Sequence, residues 1–298
     1  MLEFRTLDVF TTRAFTGNPL AVVLGADGLT TAQMQTMARE FNLSETIFVM
    51  APRDPAHRAR VRIFFPTAEI PFAGHPTIGC AVLLAGMDAG GGDFTQRMVL
   101  EEEAGLVPVT VRRKGGVTEA EFTAPVVPHG TDGQVHPALA AAVGLEAAEV
   151  GFGAHRPGIW QGGPRFLYVP VASLAALAKA RAMQPQWDAV MAAAGVDCAY
   201  LYTPGGACDF RARMFSPTAG IPEDPATGSA TAILAAQLLA SGALAEGETR
   251  FHLRQGVEMG RASDLHMTVA VEGGAIRAVR IRGAAVALSE GRIAIPEA

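Results

Sequence analysis

Glu45, His75 and Asp224 are the residues whose types and surroundings best suit chemistry in this chain. Glu45 enters an apolar segment, and burial there raises the pKa of a carboxylic acid toward neutrality, which suits a general base. His75 and Asp224 each stand directly before a proline, in matching slots of a repeated motif. Because carboxyl and imidazole groups are common proton donors and acceptors, the three positions predict acid–base chemistry.

The matching slots belong to a sequence that the chain uses twice, about half its length apart. PTAEIP at residues 66–71 returns as PTAGIP at residues 217–222, and each copy continues through a proline and a glycine into an alanine-rich run. His75 and Asp224 are 149 positions apart (224 − 75) in a chain of 298 residues. The duplication predicts two related halves whose turns oppose each other across one cleft, with His75 on one side and Asp224 on the other.

Each turn also places glycine beside the start of a predicted helix. The first N–H groups of a helix lack partners, and its dipole is positive at that end, so such a start binds anions. Gly74 and Gly228 allow a ligand close to the backbone, and the hydroxyl of Ser229 adds a donor. The structural alternative is capping by Ser or Thr with tight packing at glycine. Because the pattern occurs twice, it favours a bound carboxylate.

The three acid–base candidates have structural interpretations as well. Asp224 could be an ordinary helix N-cap, His75 could bond a loop, and Glu45 could face solvent from an edge strand. A hydrolase triad is disfavoured because no Gly-x-Ser-x-Gly motif is present and Asp224 precedes Ser229 by only five residues. Seven histidines without one-face helical spacing argue against a metal site, so we expect no metal.

Composition limits the class of protein. An apolar fraction of 49% with 18% charged residues predicts a substantial core, and a net charge of −5 argues against nucleic-acid binding. Three cysteines without metal-ligand spacing suit a reducing compartment. The charged N-terminus differs from a signal peptide, and no apolar run reaches the roughly 18–20 residues of a membrane span. These features predict a soluble, cytoplasmic protein without a membrane partner.

The hydrophobic periodicity predicts an α+β fold in which each half has several strands around one alanine-rich helix. The first helix is expected to start near Pro76 and to carry residues 78–85, and the second to span residues 227–240. The polar, proline-bearing residues 125–131 mark the boundary. Domains are therefore predicted at 1–127 and 128–298, with the terminal strand a candidate to cross to the first lobe.

Smaller elements are predicted from the same periodicity. Outside the two central helices, shorter helices and separate C-terminal strands are expected. These are helices at residues 137–143, 174–182 and 187–194, and strands at residues 251–254, 266–271, 276–281 and 286–295.

Four motifs, taken in order, resemble the PhzF-like isomerase family of phenazine biosynthesis. They are GNP at residues 17–19, NLSET at 42–46, GHPTIG at 74–79 and EDPATGSA at 223–230. The resemblance spans essentially the whole chain. It implies the diaminopimelate-epimerase type of fold, in which two pseudo-symmetric lobes each wrap a curved, mostly antiparallel sheet around a central helix, with the site between them.

The resemblance also implies roles for individual residues. Glu45 matches the acid/base that removes a proton from a C–H of a cyclic dihydro-hydroxyanthranilate and aids its return at another carbon. His75 and Asp224 match residues that move protons or orient the ring. The substrate-binding candidates are Asn18, Gly74, Gly228 and Ser229. No metal or organic cofactor is implied, and family members are commonly homodimers.

One departure from related folds bears on the mechanism. Racemases and epimerases of this fold use two cysteines, one just before the first glycine turn and one at the second. Here those neighbourhoods hold Ala73 and Asp224, and Cys80 lies inside the predicted first helix. The chain is therefore expected to be a cofactor-independent isomerase that moves a proton on a small carboxylate-bearing metabolite. A non-catalytic small-molecule binding protein and a thiol-dependent epimerase or racemase are the alternatives.

Overall fold

Strands far outnumber helices in this mixed α/β chain. The computed structural model describes residues 1–297, so the last residue of the predicted C-terminal domain lies outside it. The chain forms two units, one of Met1–Pro125 together with the residues from Arg282 onward, and one of Val126–Ile281. Within the described residues, no helix combines the length and the apolar character needed to span a membrane.

Over its described residues, the first unit contains two α-helices and eight complete strands. Its helices are α1 (Thr31–Phe41) and α2 (Gly74–Asp88). Its strands are β1 (Leu2–Val9), β2 (Asn18–Leu24), β3 (Glu45–Met50), β4 (Ala59–Phe64), β5 (Glu69–Ile70), β6 (Phe94–Glu102), β7 (Gly105–Lys114) and β8 (Val117–Thr123).

The second unit has four helices and the remaining strands. Its helices are α3 (Leu139–Ala142), α4 (Leu174–Lys179), α5 (Gln186–Ala194) and α6 (Gly228–Ala240). Its strands are β9 (His129–Gly130), β10 (Gly158–Gln161), β11 (Arg165–Pro170), β12 (Ala199–Pro204), β13 (Phe210–Ser216), β14 (Ile221–Asp224), β15 (Gly247–Gln255) and β16 (Ser263–Glu272). The long β17 (Ala275–Ile293) begins in this unit and ends in the first.

Strand pairing follows the same sequence of steps in both units. In the first unit, β2 pairs with β3 in parallel, β4 pairs with β3 and β5 antiparallel, β6 joins β4 in parallel, and β7 joins β6 antiparallel. In the second unit, β11, β12, β13, β14, β15 and β16 repeat those pairings in that order. The repeated turn therefore lies at the same topological step, between the third and the fifth strand of this series, β4 and β6 in the first unit and β13 and β15 in the second.

The helices α2 and α6 occupy equivalent places in this order and are buried on nearly all sides. A helix without a polar face belongs in the interior of its domain, which agrees with the alanine-rich runs of the sequence. The more amphipathic α1 starts with a capping box, because Thr30 accepts the N–H of Gln33 and the side chain of Gln33 accepts the N–H of Thr30. Its C-cap is Asn42, whose backbone is left-handed with φ of 50°.

Some predicted element bounds are wrong. The helix predicted at 137–143 is only the single turn α3, and the helix predicted at 174–182 ends at Lys179, where Ala180 is already extended. The two strands predicted at 276–281 and 286–295 are one strand, β17. Asp224 is the last residue of β14, so it lies before the helix and three residues separate it from α6.

Candidate functional site

Three of the predicted site residues meet in the first unit. Asn18 is the first residue of β2, Glu45 is the first residue of β3, and His75 is the second residue of α2. Nδ1 of His75 lies 3.3 Å from Oε2 of Glu45 and 3.3 Å from Nδ2 of Asn18. Glu45 is 7% exposed and His75 is 3% exposed. The interpretation of Glu45 as a solvent-facing edge residue is therefore wrong.

Local backbone geometry brings these side chains together. The strands β2 and β3 are parallel, so their N-terminal ends lie side by side, and Leu20 is in register with Glu45. The loop before Asn18 ends at Gly17, which has φ of 72° and where an added Cβ would lie 2.4 Å from the carbonyl oxygen of Val9. The same loop is fastened by the buried Asp8, whose Oδ2 accepts the N–H of Phe15 at 2.6 Å.

The imidazole of His75 is uncharged at neutral pH. Burial lowers its pKa from 6.5 to about 3, while a hydrogen bond to the backbone of Pro19 acts in the opposite direction. A neutral imidazole carries one N–H and one unprotonated nitrogen. Nδ1 can thus accept from the amide of Asn18 or donate to the carboxylate of Glu45, so the ring can exchange a proton with Glu45 without large movement.

The start of α2 keeps its N–H groups available. Its N-cap is Ala73, and no side chain caps this end among the described residues. The first bond in this turn is from the N–H of Thr77 to the carbonyl oxygen of Ala73 at 3.3 Å. The capping alternative is therefore wrong here, and the backbone of the buried Gly74 and of His75 forms a helix end of the kind that binds anions.

The second turn is built differently from the first. The carboxylate of Asp224 accepts the hydroxyl of Thr227 at 2.5 Å and is 4% exposed. Thr227 is the N-cap of α6, but its side chain makes no capping bond, so the first turn at Gly228 and Ser229 also lacks a side-chain cap. Gly228 is buried and Ser229 is half-buried. The prediction that this turn and that of His75 face one substrate stays a prediction.

Two further buried polar residues, absent from the predicted site, contact these turns. Glu102 lies at the end of β6, is 8% exposed, and places Oε1 2.7 Å from the hydroxyl of Thr77. Gln255 lies at the end of β15, is fully buried, and bonds both Asp224 and Thr227. The available signal was a polar residue two positions after a buried leucine, Leu100 before Glu102 and Leu253 before Gln255. Their partners are 25 or more positions away in sequence, so spacing alone could not connect them.

The cysteines are not poised for catalysis. Burial raises the pKa of Cys80, Cys198 and Cys208 above the ordinary thiol value. Since the thiolate is the reactive form, these groups are mostly unreactive thiols at neutral pH. Within residues 1–297, no three side chains of the His, Cys, Asp or Glu type are grouped as a metal would require.

Two relatives that match this chain over nearly their whole length are named isomerases. It is 41% identical over 297 residues to an uncharacterized isomerase of Mesorhizobium japonicum, covering 97% of each chain. It is 35% identical over 292 residues to the trans-2,3-dihydro-3-hydroxyanthranilate isomerase of Pseudomonas aeruginosa, covering 98% of this chain and 99% of that one. These relatives support an isomerase whose substrate is unassigned.

The fold has solved counterparts as well. A crystal structure of a Bacillus anthracis phenazine biosynthesis protein of the PhzF family superimposes with a TM-score of 0.86, covering 99% of each chain at 24% identity. At that identity the likeness concerns the fold alone. The family model described as phenazine biosynthesis-like protein matches residues 7–291. Because that match covers nearly the whole length, the chain belongs to the phenazine biosynthesis-like, or PhzF, family.

Proposed function

We propose that the protein is a cofactor-independent isomerase that shifts a proton between two carbons of a small carboxylate-bearing metabolite. The single observation that carries this proposal is the pair formed by Glu45 and His75, in which Oε2 and Nδ1 are 3.3 Å apart and both side chains are buried. A buried carboxyl group beside a neutral imidazole can accept a proton from one carbon and deliver a proton to another.

The reaction is a proton shift and needs no oxidant or reductant. The carboxylate of Glu45 takes a proton from a C–H of the substrate, and the electron pair of that bond is delocalised into the adjacent unsaturated system. A proton is then delivered to another carbon, either from Glu45 directly or by way of Nδ1 of His75, and forms a new C–H bond there. The double bond moves, and enzyme and substrate regain their starting charges. Asp224 is proposed to assist proton movement or to orient the substrate.

Substrate charge is proposed to be met by backbone N–H groups. The uncapped starts of α2 and α6 offer donors at Gly74 and Gly228, with the hydroxyl of Ser229 beside the second. A helix start favours a negative group through both its free N–H donors and its dipole. The amide of Asn18 is proposed to keep His75 in a fixed orientation and to border the substrate. These donors favour a carboxylate over a neutral ligand.

Solvent-deuterium exchange tests the proposed chemistry. The first substrate to try is trans-2,3-dihydro-3-hydroxyanthranilate, because a relative with 35% identity is named for its isomerisation. In heavy water, we expect the wild-type protein to convert it and to place deuterium on carbon. Glu45→Gln should lower that rate by at least about 100-fold, since general acid–base catalysis typically contributes that much.

A matched control separates the chemistry from protein damage. Glu40 is an exposed glutamate on α1, so Glu40→Gln makes the same chemical change away from the site and should keep the wild-type rate. Exchange by Glu45→Gln at the wild-type rate, with the fold intact by circular dichroism, contradicts the role given to Glu45. Binding of the compound without any exchange by the wild-type protein favours the non-catalytic alternative. Assembly as a homodimer stays a prediction.

A further inference from the structure

Glu102 and Thr77 form a hydrogen-bond chain beneath the turn that carries His75. The hydroxyl oxygen of Thr77 lies 2.7 Å from the carbonyl oxygen of Ala73 and 2.7 Å from Oε1 of Glu102. The hydroxyl has one hydrogen, and the carbonyl can only accept. Both contacts are full hydrogen bonds when Glu102 carries a proton, donates it to Thr77, and Thr77 donates in turn to Ala73.

The other oxygen of Glu102 supports the same protonation state. Oε2 is buried and has no hydrogen-bond partner among the described residues. A charged carboxylate in this position would leave one oxygen neither solvated nor bonded, which is strongly unfavourable. Burial accordingly raises the pKa of Glu102 to about 8, with the Thr77 hydrogen bond acting in the opposite direction. The charge of Glu102 also interacts with Cys80 on α2 and raises the pKa of that thiol, whereas the charge of Arg58 lowers it.

In the second unit, the side-chain amide of Gln255 makes the corresponding hydrogen bonds. Nε2 of Gln255 donates to the hydroxyl of Thr227 at 3.0 Å and to the carbonyl oxygen of Asp224 at 2.8 Å. Oε1 of Gln255 accepts the N–H of Thr227 at 3.2 Å. The hydroxyl of Thr227 then donates to the carboxylate of Asp224. The chain from amide to threonine hydroxyl to turn matches the chain from Glu102 to Thr77 to Ala73.

The two residues also hold equivalent places in the chain. Glu102 ends β6, the strand that follows α2, and Gln255 ends β15, the strand that follows α6. Each strand pairs in parallel with the strand before its turn, β6 with β4 and β15 with β13. Glu102 and Gln255, which we call the braces of the two turns, therefore come from the same step of the repeated strand order. This second, independent correspondence argues against a chance contact at either turn.

We propose that Glu102 and Gln255 are positioning residues, each holding one turn of the site through a threonine hydroxyl, and that Glu102 does so as a neutral acid. The proposal deepens the proposed function, because it assumes that His75 and Asp224 act on the substrate. Glu102 acts through Thr77 on the first turn of α2 and touches no reacting atom. Small displacements of catalytic groups lower rates by about 100-fold per ångström, so a loose turn would affect turnover more than substrate binding.

Paired substitutions test this role. Glu102→Gln keeps a neutral group that can donate to Thr77, whereas Glu102→Met keeps the length and removes the hydrogen bond. Gln255→Met does the same at the second turn, and exposed Glu103→Gln is the matched control next to Glu102. With the deuterium-exchange assay on trans-2,3-dihydro-3-hydroxyanthranilate, we expect Glu102→Gln and Glu103→Gln to keep kcat within about twofold. Both methionine variants should lose about 10- to 100-fold in kcat per folded molecule, with KM changed less than about threefold.

A second readout does not depend on catalysis. In protein labelled with ¹³C at histidine, the ring signals of His75 are identified by their loss in His75→Asn. We expect those signals to move in Glu102→Met but not in Glu102→Gln. In the wild-type protein they should also shift as the pH passes about 8, whereas in Glu102→Gln they should not. The carboxyl carbon of Asp224 should likewise shift in Gln255→Met.

The two readouts separate the possible failures. If the wild-type protein exchanges no deuterium but the His75 signals respond as expected, the proposed function fails and the positioning role stands. If exchange occurs and both methionine variants keep wild-type kcat, with His75 and Asp224 signals unmoved, the positioning role is wrong. A fall in stability without change in kcat per folded molecule or in these signals also contradicts it, because that marks a purely structural role.

Discussion

The protonation state of Glu102 predicts how protein stability varies with pH. In the folded protein its pKa is raised to about 8 from 4.5 because burial disfavours the charged form. As the pH rises above 4.5, the unfolded chain loses this proton before the folded protein does. The free energy of unfolding contributed by Glu102 is therefore full below pH 4.5 and is lost progressively as the pH rises to about 8.

The size of the effect follows from the same two values. The folded and unfolded pKa values differ by about 3.5 pH units (8 − 4.5), and each unit corresponds to about 1.4 kcal/mol. The limiting loss is thus about 5 kcal/mol, with a slope no greater than about 1.4 kcal/mol per pH unit for one proton. Relaxation around a newly charged Glu102 reduces the observed loss, so we expect about 2–5 kcal/mol across this range.

Urea unfolding of matched variants measures this loss. Glu102→Gln cannot ionise, so its free energy of unfolding relative to wild type should rise by about 2–5 kcal/mol between pH 4.5 and pH 8. Other titrating groups are common to both proteins and cancel in the difference. Glu103→Gln, which changes the neighbouring exposed glutamate, should show no such trend. A wild-type to Glu102→Gln difference that is constant from pH 5 to pH 8 would refute a neutral, buried Glu102.

Three other predictions concern the candidate site and the thiols. Burial lowers the pKa of His75 from 6.5 to about 3, so the unfolded chain binds a proton at this residue before the folded protein does. The wild-type protein should therefore lose stability as the pH falls from 6.5 toward 3. Melting curves recorded at pH 4 and pH 7 should show a smaller loss for His75→Asn. Cys80→Ala should keep deuterium exchange within about twofold while lowering stability by about 1 kcal/mol in urea, whereas loss of exchange would revive a thiol mechanism. Native protein treated with iodoacetamide at pH 7 should retain Cys80 unmodified by mass spectrometry until denaturant is added, because burial raises its pKa; rapid native alkylation contradicts this.

Local patterns in the sequence were sufficient for the features that arise within one segment. The alanine-rich runs predict the buried helices α2 and α6, because a helix without a polar face must lie in an interior. The apolar residues after Glu45 predict a buried strand, and all six residues of β3 are buried. Both inferences depend only on the pattern of apolar residues within one segment.

The prediction of two separate strands at the C-terminus was wrong. Residues 282–285 were expected to form a turn between strands at 276–281 and 286–295. The strand β17 instead continues through these residues, and a Cβ added at Gly283 would lie 2.2 Å from the ring of Phe10. Gly283 is thus required for the close approach of a distant aromatic side chain. The sequence carries no local sign that distinguishes this use of glycine from a turn.

The braces at the two turns were missed for a related reason. Glu102 stands between two other glutamates, and that run resembles a solvated strand end. Side chains alternate in direction along a strand, so adjacent glutamates meet different surroundings. Glu101 accepts N–H groups of the loop at Arg53 and Asp54, while Glu102 reaches Thr77. Only the pairing of β6 with β4, set by residues far apart in the chain, decides which of the two is buried against α2.

The duplicated turns keep a proline and a glycine at the same sequence spacing, but they differ at the titratable residue and in where the helix begins. The prolines at 76 and 225 and the glycines at 79 and 228 recur in both copies. His75 is replaced by Asp224, and the brace Glu102 is replaced by Gln255. Each turn thus combines one proton-bearing group with a neutral donor that acts through threonine. An inherited scaffold can keep its strand order and its threonine contacts while the titratable residues in its turns diverge, so that one turn carries an imidazole and the other a carboxylate.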